Sequence, residues 1–397
     1  MGILQKAAKI IFVSVPLILL GGCWDRTEVN DLALIVGLGI DQKKDGQIML
    51  TTELIVPQAV GGGQMMGSDG GGGEAQTLAR SGTGSTVADA ISNLQEKLPR
   101  RVFWGHTKVI VFGERAAKAG IRQHLDFLSR NSQIRLRSNV LVSNGTAKSV
   151  LELTPPIEQS SAEVLRELSE SKLLMRVTIK DALQMLSSDA SAAALPMVKI
   201  LPPEKGKKDL QTIAFIQRTA IFKKDKMIGD IDDKLTRGVL WLRNEIERAN
   251  ITVTLEGEKG NITSKMLRAH TEFIPKYEKG KWKMIVKATT EDDIILNGTK
   301  LDLLNPKYTK MIEKELEKET NERIKAALKK VQKEMKADIF GFADMFHRKY
   351  PREWNRVKNR WEEIFPTVEV IVKTEAYVRR PGVNSAPQGL PEQEVKQ

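Results

Sequence analysis

The chain contains one cysteine, Cys23, in 397 residues. An intrachain disulfide and any cysteine-based metal site are thereby excluded. Histidine is nearly as scarce. His106, His124, His270 and His347 stand far apart, and neither HExxH nor an equivalent ligand spacing occurs. No GxSxG, no GxGxxG after a strand and no kinase signature is present, so the chemistries those motifs serve are not expected. The apolar stretch near the N-terminus is also short. From Ile10 to Trp24 it is charge-free for 15 residues, fewer than the roughly 18 that argue for a membrane-spanning helix. Carboxylates are plentiful but scattered. The adjacent pairs Asp232-Asp233 and Asp292-Asp293 read as turn or capping groups rather than catalytic dyads.

What is present begins with a secretion signal. Lys6 and Lys9 form a positive region, residues 10–20 (IIFVSVPLILL) an apolar one, and Leu20-Gly21-Gly22 bring small residues up to Cys23. The four residues ending at Cys23 resemble a bacterial lipobox. On that reading residues 1–22 are a lipoprotein signal peptide, and Cys23 carries an S-diacylglycerol and an N-palmitoyl group. Several acyl chains hold a protein stably where a single one does not. The formal net charge is +12, and the leader supplies only Lys6 and Lys9 of the cations. Such a surface suits anionic headgroups, nucleic acid or an acidic partner, and Lys and Glu are mostly interspersed, as on a solvated face. Arg100-Arg101 beside Phe103 and Trp104 has some character of a nucleic-acid patch. A secreted lipoprotein faces away from nucleic acid, so packing and surface charge explain these residues better.

After Cys23 the pattern alternates strand and helix. Residues 32–40 are a nearly continuous apolar run, a buried strand in which Gly37 and Gly39 permit close approach of another backbone. Residues 48–56 alternate with period two as a half-buried strand, and Asp45-Gly46 turns the chain between them. Residues 61–74 are a glycine-rich surface loop. No Gly-Lys-Ser/Thr follows, which excludes a phosphate loop. Ser85 is placed as an N-cap before the helical stripe Val87, Ile91, Leu94 and Leu98. Strands are expected at 108–112 and 136–142, with a helix through Ile121, Leu125 and Leu128 between them. One helix is expected over 164–186, then a Pro-rich crossing at 195–203, which sets a domain boundary near 200–210.

Residues 211–290 are strand-rich, opening with a hairpin turned at 223–226. Ile312, Leu316, Ile324, Leu328, Val331 and Met335 then make one stripe of a long amphipathic helix. Trp354, Val357, Trp361 and Ile364/Phe365 share a second helical face after Tyr350-Pro351, with the two tryptophans read as core. Residues 367–378 alternate strictly as a strand, and a polar tail ends the chain.

Two stretches carry a family likeness. CWDRTEVND followed by LALIVGLGID begins at Cys23, and GFADMFHRKYPREWNRVKNRWEEIFPTVEVIVKTEAYVRRPG spans 341–382. Together they resemble the Ger(x)C lipoproteins, C subunits of spore germinant receptors. The resemblance implies a lipid-anchored, non-enzymatic protein with no cofactor, on the outer face of the spore's inner membrane. It also implies that the protein works with the multi-pass A and B subunits of the same receptor in the response to nutrients, and binds no nucleic acid.

The expected fold is mixed α/β (α+β) and multidomain. An N-terminal germination-protein domain covers 23–205, a C-terminal one with the long helix covers 211–382, and residues 383–397 form a disordered tail. A solute-binding lipoprotein of an importer is the alternative. It would show two similar α/β lobes around a cleft, yet no repeat links 32–153 to 211–378. An anchored cell-wall enzyme would need motifs that are missing.

Overall fold

The structure, a computed structural model, describes Gly2 and residues 31–56, 77–382 and 391–396. β1 (Leu32–Gln42) and β2 (Ile48–Ile55) form the expected hairpin, and Gly46 takes the positive φ its turn requires. β3 (Thr77–Gly84) pairs antiparallel with β2. In α1 (Val87–Gln95) the N-cap is Thr86 rather than Ser85. Thr86 Oγ1 accepts from Asp89 N at 3.1 Å, while the Ser85 hydroxyl donates to the Asp89 carboxylate. β4 (Arg101–Phe103), β5 (Val109–Phe112), α2 (Glu114–Ala119), α3 (Arg122–Arg130) and β6 (Asn139–Ser143) follow. Next come α4 (Ala147–Leu151), α5 (Ser161–Glu170) and α6 (Ile179–Ser187). The single helix expected over 164–186 is therefore two, α5 and α6. The chain breaks between them with Lys172 at φ +55°, and α6 restarts on a Thr178/Asp181 capping box.

β7 (Ala192–Ile200) occupies most of the segment expected to be a crossing. Its small and apolar residues from 192 to 198 are buried, so a Pro inside it hid a core strand. β7 pairs with β6 only at Met197 and Val198, beyond Pro196, so the missing N–H breaks no bond on that side. β8 (Ala214–Lys223) and β9 (Lys226–Ile231) form the expected hairpin.

Among the described residues one nine-stranded sheet runs β3-β2-β1-β5-β6-β7-β8-β9, with β4 also on β1. Its middle, β1-β5-β6-β7, is parallel and its flanks are antiparallel. Helices cover both faces. Leu38, Ile40, Ile110 and Phe112 join the core that holds α1, α2, α3 and α6, while Val36, Val109, Val111 and Leu141 pack with α4 and α5. This explains why β2 is buried on both sides and not half-buried, with Thr51 and Glu53 fully covered. Gly37 and Gly39 serve the close approach. A Cβ on either would meet Leu151 and its neighbours at 2.9–3.2 Å. The expected domain boundary at 205–211 falls in the loop between β7 and β8, which are neighbours in this one sheet.

The remainder is built on a second sheet. α7 (Asp233–Arg243) is a helix inside the region expected to be strand-rich. Asp232, expected as a capping group, is its N-cap and accepts from Leu235 N at 2.9 Å. β10 (Asn250–Val253), β11 (Ile262–Glu278), β12 (Lys281–Asn297), α8 (Pro306–Ala327), α9 (Phe342–Lys349), α10 (Pro351–Asn355), α11 (Trp361–Ile364) and β13 (Glu369–Arg380) complete the chain. The sheet order is β10-β11-β12-β13, with β13 parallel to β12.

The long helix buries Ile312, Leu316 and Ile324. It continues as a π-helical segment over Leu328–Met335, where Gln332 Nε2 donates to the carbonyls of Phe365 and Val368. α7 crosses α8 at Gly238, where a Cβ would lie 2.3 Å from the Arg323 carbonyl. Glu317 and Glu313 accept from Ala376 N and Val378 N, closing part of the free edge of β13. Asp292 is not in a turn as expected but buried in β12, accepting from Ser264 and Thr290 hydroxyls at 3.1 and 2.7 Å. Residues 391–396, expected in the disordered tail, return to the fold. Lys396 bridges to Leu301 and its ammonium pairs with Glu258.

Candidate functional site: the start of the sheet and the inter-sheet cleft

Cys23 and the glycine-rich insert 61–74 both lie outside the described residues. Their points of attachment do not. Leu32 opens β1 opposite Arg101, at the end of the sheet where the parallel strands begin. β2 ends and β3 begins at that same end, since Leu54 lies across from Ile35 and Ile55 across from Thr77. The segment that leads to Cys23 and the insert therefore leave the fold together. Among the described residues no helix is long and apolar enough to cross a membrane.

The second feature is the seam between the two sheets. Asp338 is buried and receives three hydrogen bonds: Phe342 N at 3.1 Å, Ala343 N at 2.8 Å and Trp361 Nε1 at 2.9 Å. Two of these are free amides at the start of α9, so the carboxylate closes a helix N-terminus and pins Trp361 to it. Around it stand Trp282, Phe346, Trp354 and Phe365, with ring centroids 5.0–6.5 Å from that of Trp361. His347 stacks on Trp354 and holds Asp189 at 2.6 Å, and the Asp189 amide donates to Asp344. These contacts tie the end of α6 to α9 across the seam.

A cleft of about 280 Å³ opens beside this node, between Gln184, Ser188, Arg243 and Asp344. Its guanidinium is already engaged, with Glu245 and with the Ile339 carbonyl at 2.7 Å. Among the described residues no three His, Cys, Asp or Glu side chains converge on a metal position. The two sheets are unlike in size and strand order, so the cleft does not lie between similar lobes.

Four carboxylates are held inside the fold: Asp41, Glu53, Asp292 and Asp338. Glu53 closes α5 as Asp338 closes α9, accepting from Ser161 N at 2.9 Å and Ala162 N at 2.8 Å. Asp41 does the same for α4. Burial pushes all four up against the pull of their hydrogen bonds, Glu53 to about 7 and Asp338 to about 6. In the unfolded chain these two ionise near 4.5 and 3.8. Between those values and the folded ones, the fold keeps protons that the unfolded chain has released, so stability declines as pH rises. We expect the melting temperature to fall between about pH 5 and about pH 7.5. A flat or rising melting curve over that window would contradict the assignment. Glu163 behaves in the opposite way. Arg166 and Lys108 hold it at about 2, so its contribution is lost only in stronger acid.

The sequence reading singled out Trp354 and Trp361 as core, and the structure places both there, but it missed Asp338. The left-handed Gly341 next to it is the local trace of the turn that exposes the α9 amides.

Residues 25–200 match the family model described as the spore germination protein N-terminal domain. Residues 217–382 match that of the spore germination B3/GerAC-like C-terminal domain. Spore germination protein KC of Bacillus subtilis (strain 168) is 28% identical, over 96% of this chain and 98% of that protein. The putative spore germination protein YfkR of the same organism is 31% identical over 92% and 94%. Spore germination protein B3, also from B. subtilis, is 25% identical over 91% and 94%. The crystal structure of the GerBC protein superposes with a TM-score of 0.55 at 21% identity, over 86% of this chain and 97% of that one, which establishes a shared fold.

Proposed function

This chain belongs to the Ger(x)C family of spore germination proteins, and on that premise we propose that it is the lipid-anchored C subunit of a nutrient germinant receptor. A role in spore germination follows from the family itself. The finer reading rests on one observation. Family-matched sequence runs in order from residue 25 to residue 382 and begins two residues after Cys23, the last residue of the lipobox-like Leu20-Gly21-Gly22-Cys23.

In this reading the acyl groups on Cys23 hold the protein to the outer face of the spore's inner membrane. The two sheets stand outside the bilayer and meet the multi-pass A and B subunits there. The protein contributes assembly or signalling surface, not turnover.

The test is nutrient-triggered release of dipicolinic acid from spores lacking this gene, across a panel of amino acids and sugars. The expected result is loss of response to one nutrient class, with normal release by a non-nutrient trigger. An unchanged response over the whole panel, in a strain without sister receptors, would overturn the proposal.

A further inference from the structure

At the end of the large sheet where β1 starts, six cations come together from three separate segments. Arg101 lies across from Leu32, and Arg100 precedes it. Gln133 Oε1 accepts from Trp104 N at 3.1 Å, which seats the 131–138 loop beside β4. That loop presents Arg135, Leu136 and Arg137, all exposed. Lys180 N donates to the Leu136 carbonyl at 3.1 Å, and Arg176 Nε donates to Asn139 Oδ1 at 3.3 Å, which brings Arg176 and Lys180 to the same end.

None of these six cations has an ion-pair partner among the described residues. Some cations elsewhere are neutralised locally, as Arg166 is by Glu163 and Glu170, Arg218 by Asp230 and Arg323 by Glu319. The adjoining acids are few. Asp181 is spent on the Thr178 capping box, which leaves Asp31 and Glu96 against the six cations. The loop at the opposite end of the sheet, 201–213, instead mixes Glu204 and Asp209 with its lysines.

Apolar groups stand among these cations. Leu136 is 44% exposed between its two arginines, and Leu78 in the neighbouring part of the sheet end is 39% exposed. An exposed leucine flanked by arginines suits a headgroup layer, where the cations meet phosphates and the side chain reaches the acyl boundary. The length of chain agrees. Asp31 lies eight positions after Cys23, a stretch that spans at most about 27 Å when fully extended.

We infer that this end of the sheet is a second, electrostatic contact with the bilayer, which docks on anionic phospholipid headgroups and fixes the orientation of the whole protein. The inference rests on the anchor at Cys23 proposed above. The anchor supplies retention, while the arginine-rich end supplies orientation.

The experiment uses the mature lipidated chain in vesicles. With Cys23 acylated, a Leu136→Cys substitution supplies the one free thiol, which is labelled with a nitrobenzoxadiazole dye. In vesicles containing phosphatidylglycerol the dye should emit at shorter wavelength, brighten several-fold and be quenched by nitroxide lipids. In pure phosphatidylcholine it should stay aqueous, as should a dye at Lys207→Cys, at the far end of the sheet, in both.

Adding Arg135→Glu and Arg137→Glu should return the Leu136 dye to the aqueous signal while the protein stays on the vesicles. Each lost cation weakens headgroup docking roughly five-fold. An aqueous signal on anionic vesicles would overturn the inference and turn this face toward a protein partner. Equal burial on neutral vesicles, or no response to the glutamates, would overturn it as well. Two dyes per chain would mean a free Cys23, a failure of the anchor reading alone. Docking is then read from the Leu136→Cys dye on a Cys23→Ala background.

Discussion

Replacing Trp361 by alanine is expected to unfold the C-terminal half of the protein near physiological temperature. The indole is 4% exposed and contacts four other rings. Emptying such a site costs on the order of 3–5 kcal/mol, because neighbouring side chains only partly collapse into the space. The substitution also removes the Nε1 donor from Asp338, which stays buried with two backbone donors. Losing a hydrogen bond to a charged group adds roughly 1.5–3 kcal/mol.

Trp361→Phe separates the two contributions. It keeps most of the ring packing and loses the donor, so its cost should fall well below that of alanine. Urea unfolding followed by tryptophan emission measures both. An unchanged midpoint for Trp361→Ala would place the indole on a surface. A midpoint for Trp361→Phe as low as that for alanine would make the Asp338 contact the dominant one.

The parts of this fold that were legible in the sequence are those whose evidence is local. Asp45-Gly46 between two apolar runs specifies the β1–β2 hairpin, and the strict alternation from Val368 to Val378 specifies β13. The stripe of Ile312, Leu316 and Ile324, at multiples of four residues, specifies α8. Parts whose evidence lies elsewhere in the chain were misread. β7 carries Pro196 and leads into Pro202-Pro203, which read locally as a crossing. Its neighbours β6 and β8 make it a strand. α7 was hidden because its turns mix β-branched and aromatic residues, and the fit of Gly238 against α8, which helps secure it, lies far along the chain.

The functional features follow the same rule. Asp338 and Trp361 are 23 residues apart, and nothing near either names the other. Of the six cations at the start of the sheet only Arg100-Arg101 stand side by side and were noticed in the sequence, and charge patterning along the chain could not join them to the other four. The proposed lipidation of Cys23 is the opposite case, because a peptidase and an acyl transferase would act on an extended segment. The signal is therefore written in consecutive residues, and the fold adds only the place where that segment attaches.

That makes Cys23→Ala the second large effect. Each buried methylene of an acyl chain contributes about 0.8 kcal/mol to membrane retention, so removing all the chains removes nearly all of it. The arginines at the start of the sheet cannot replace it, because their attraction to headgroups is screened by salt. The direct measurement is the partition of the chain between spore inner membranes and supernatant after a high-salt wash, for the native chain and for Cys23→Ala. The account predicts that the native chain stays with the membrane, and that Cys23→Ala is washed off and its spores lose the nutrient response. Retention of Cys23→Ala on salt-washed membranes would contradict the lipid anchor.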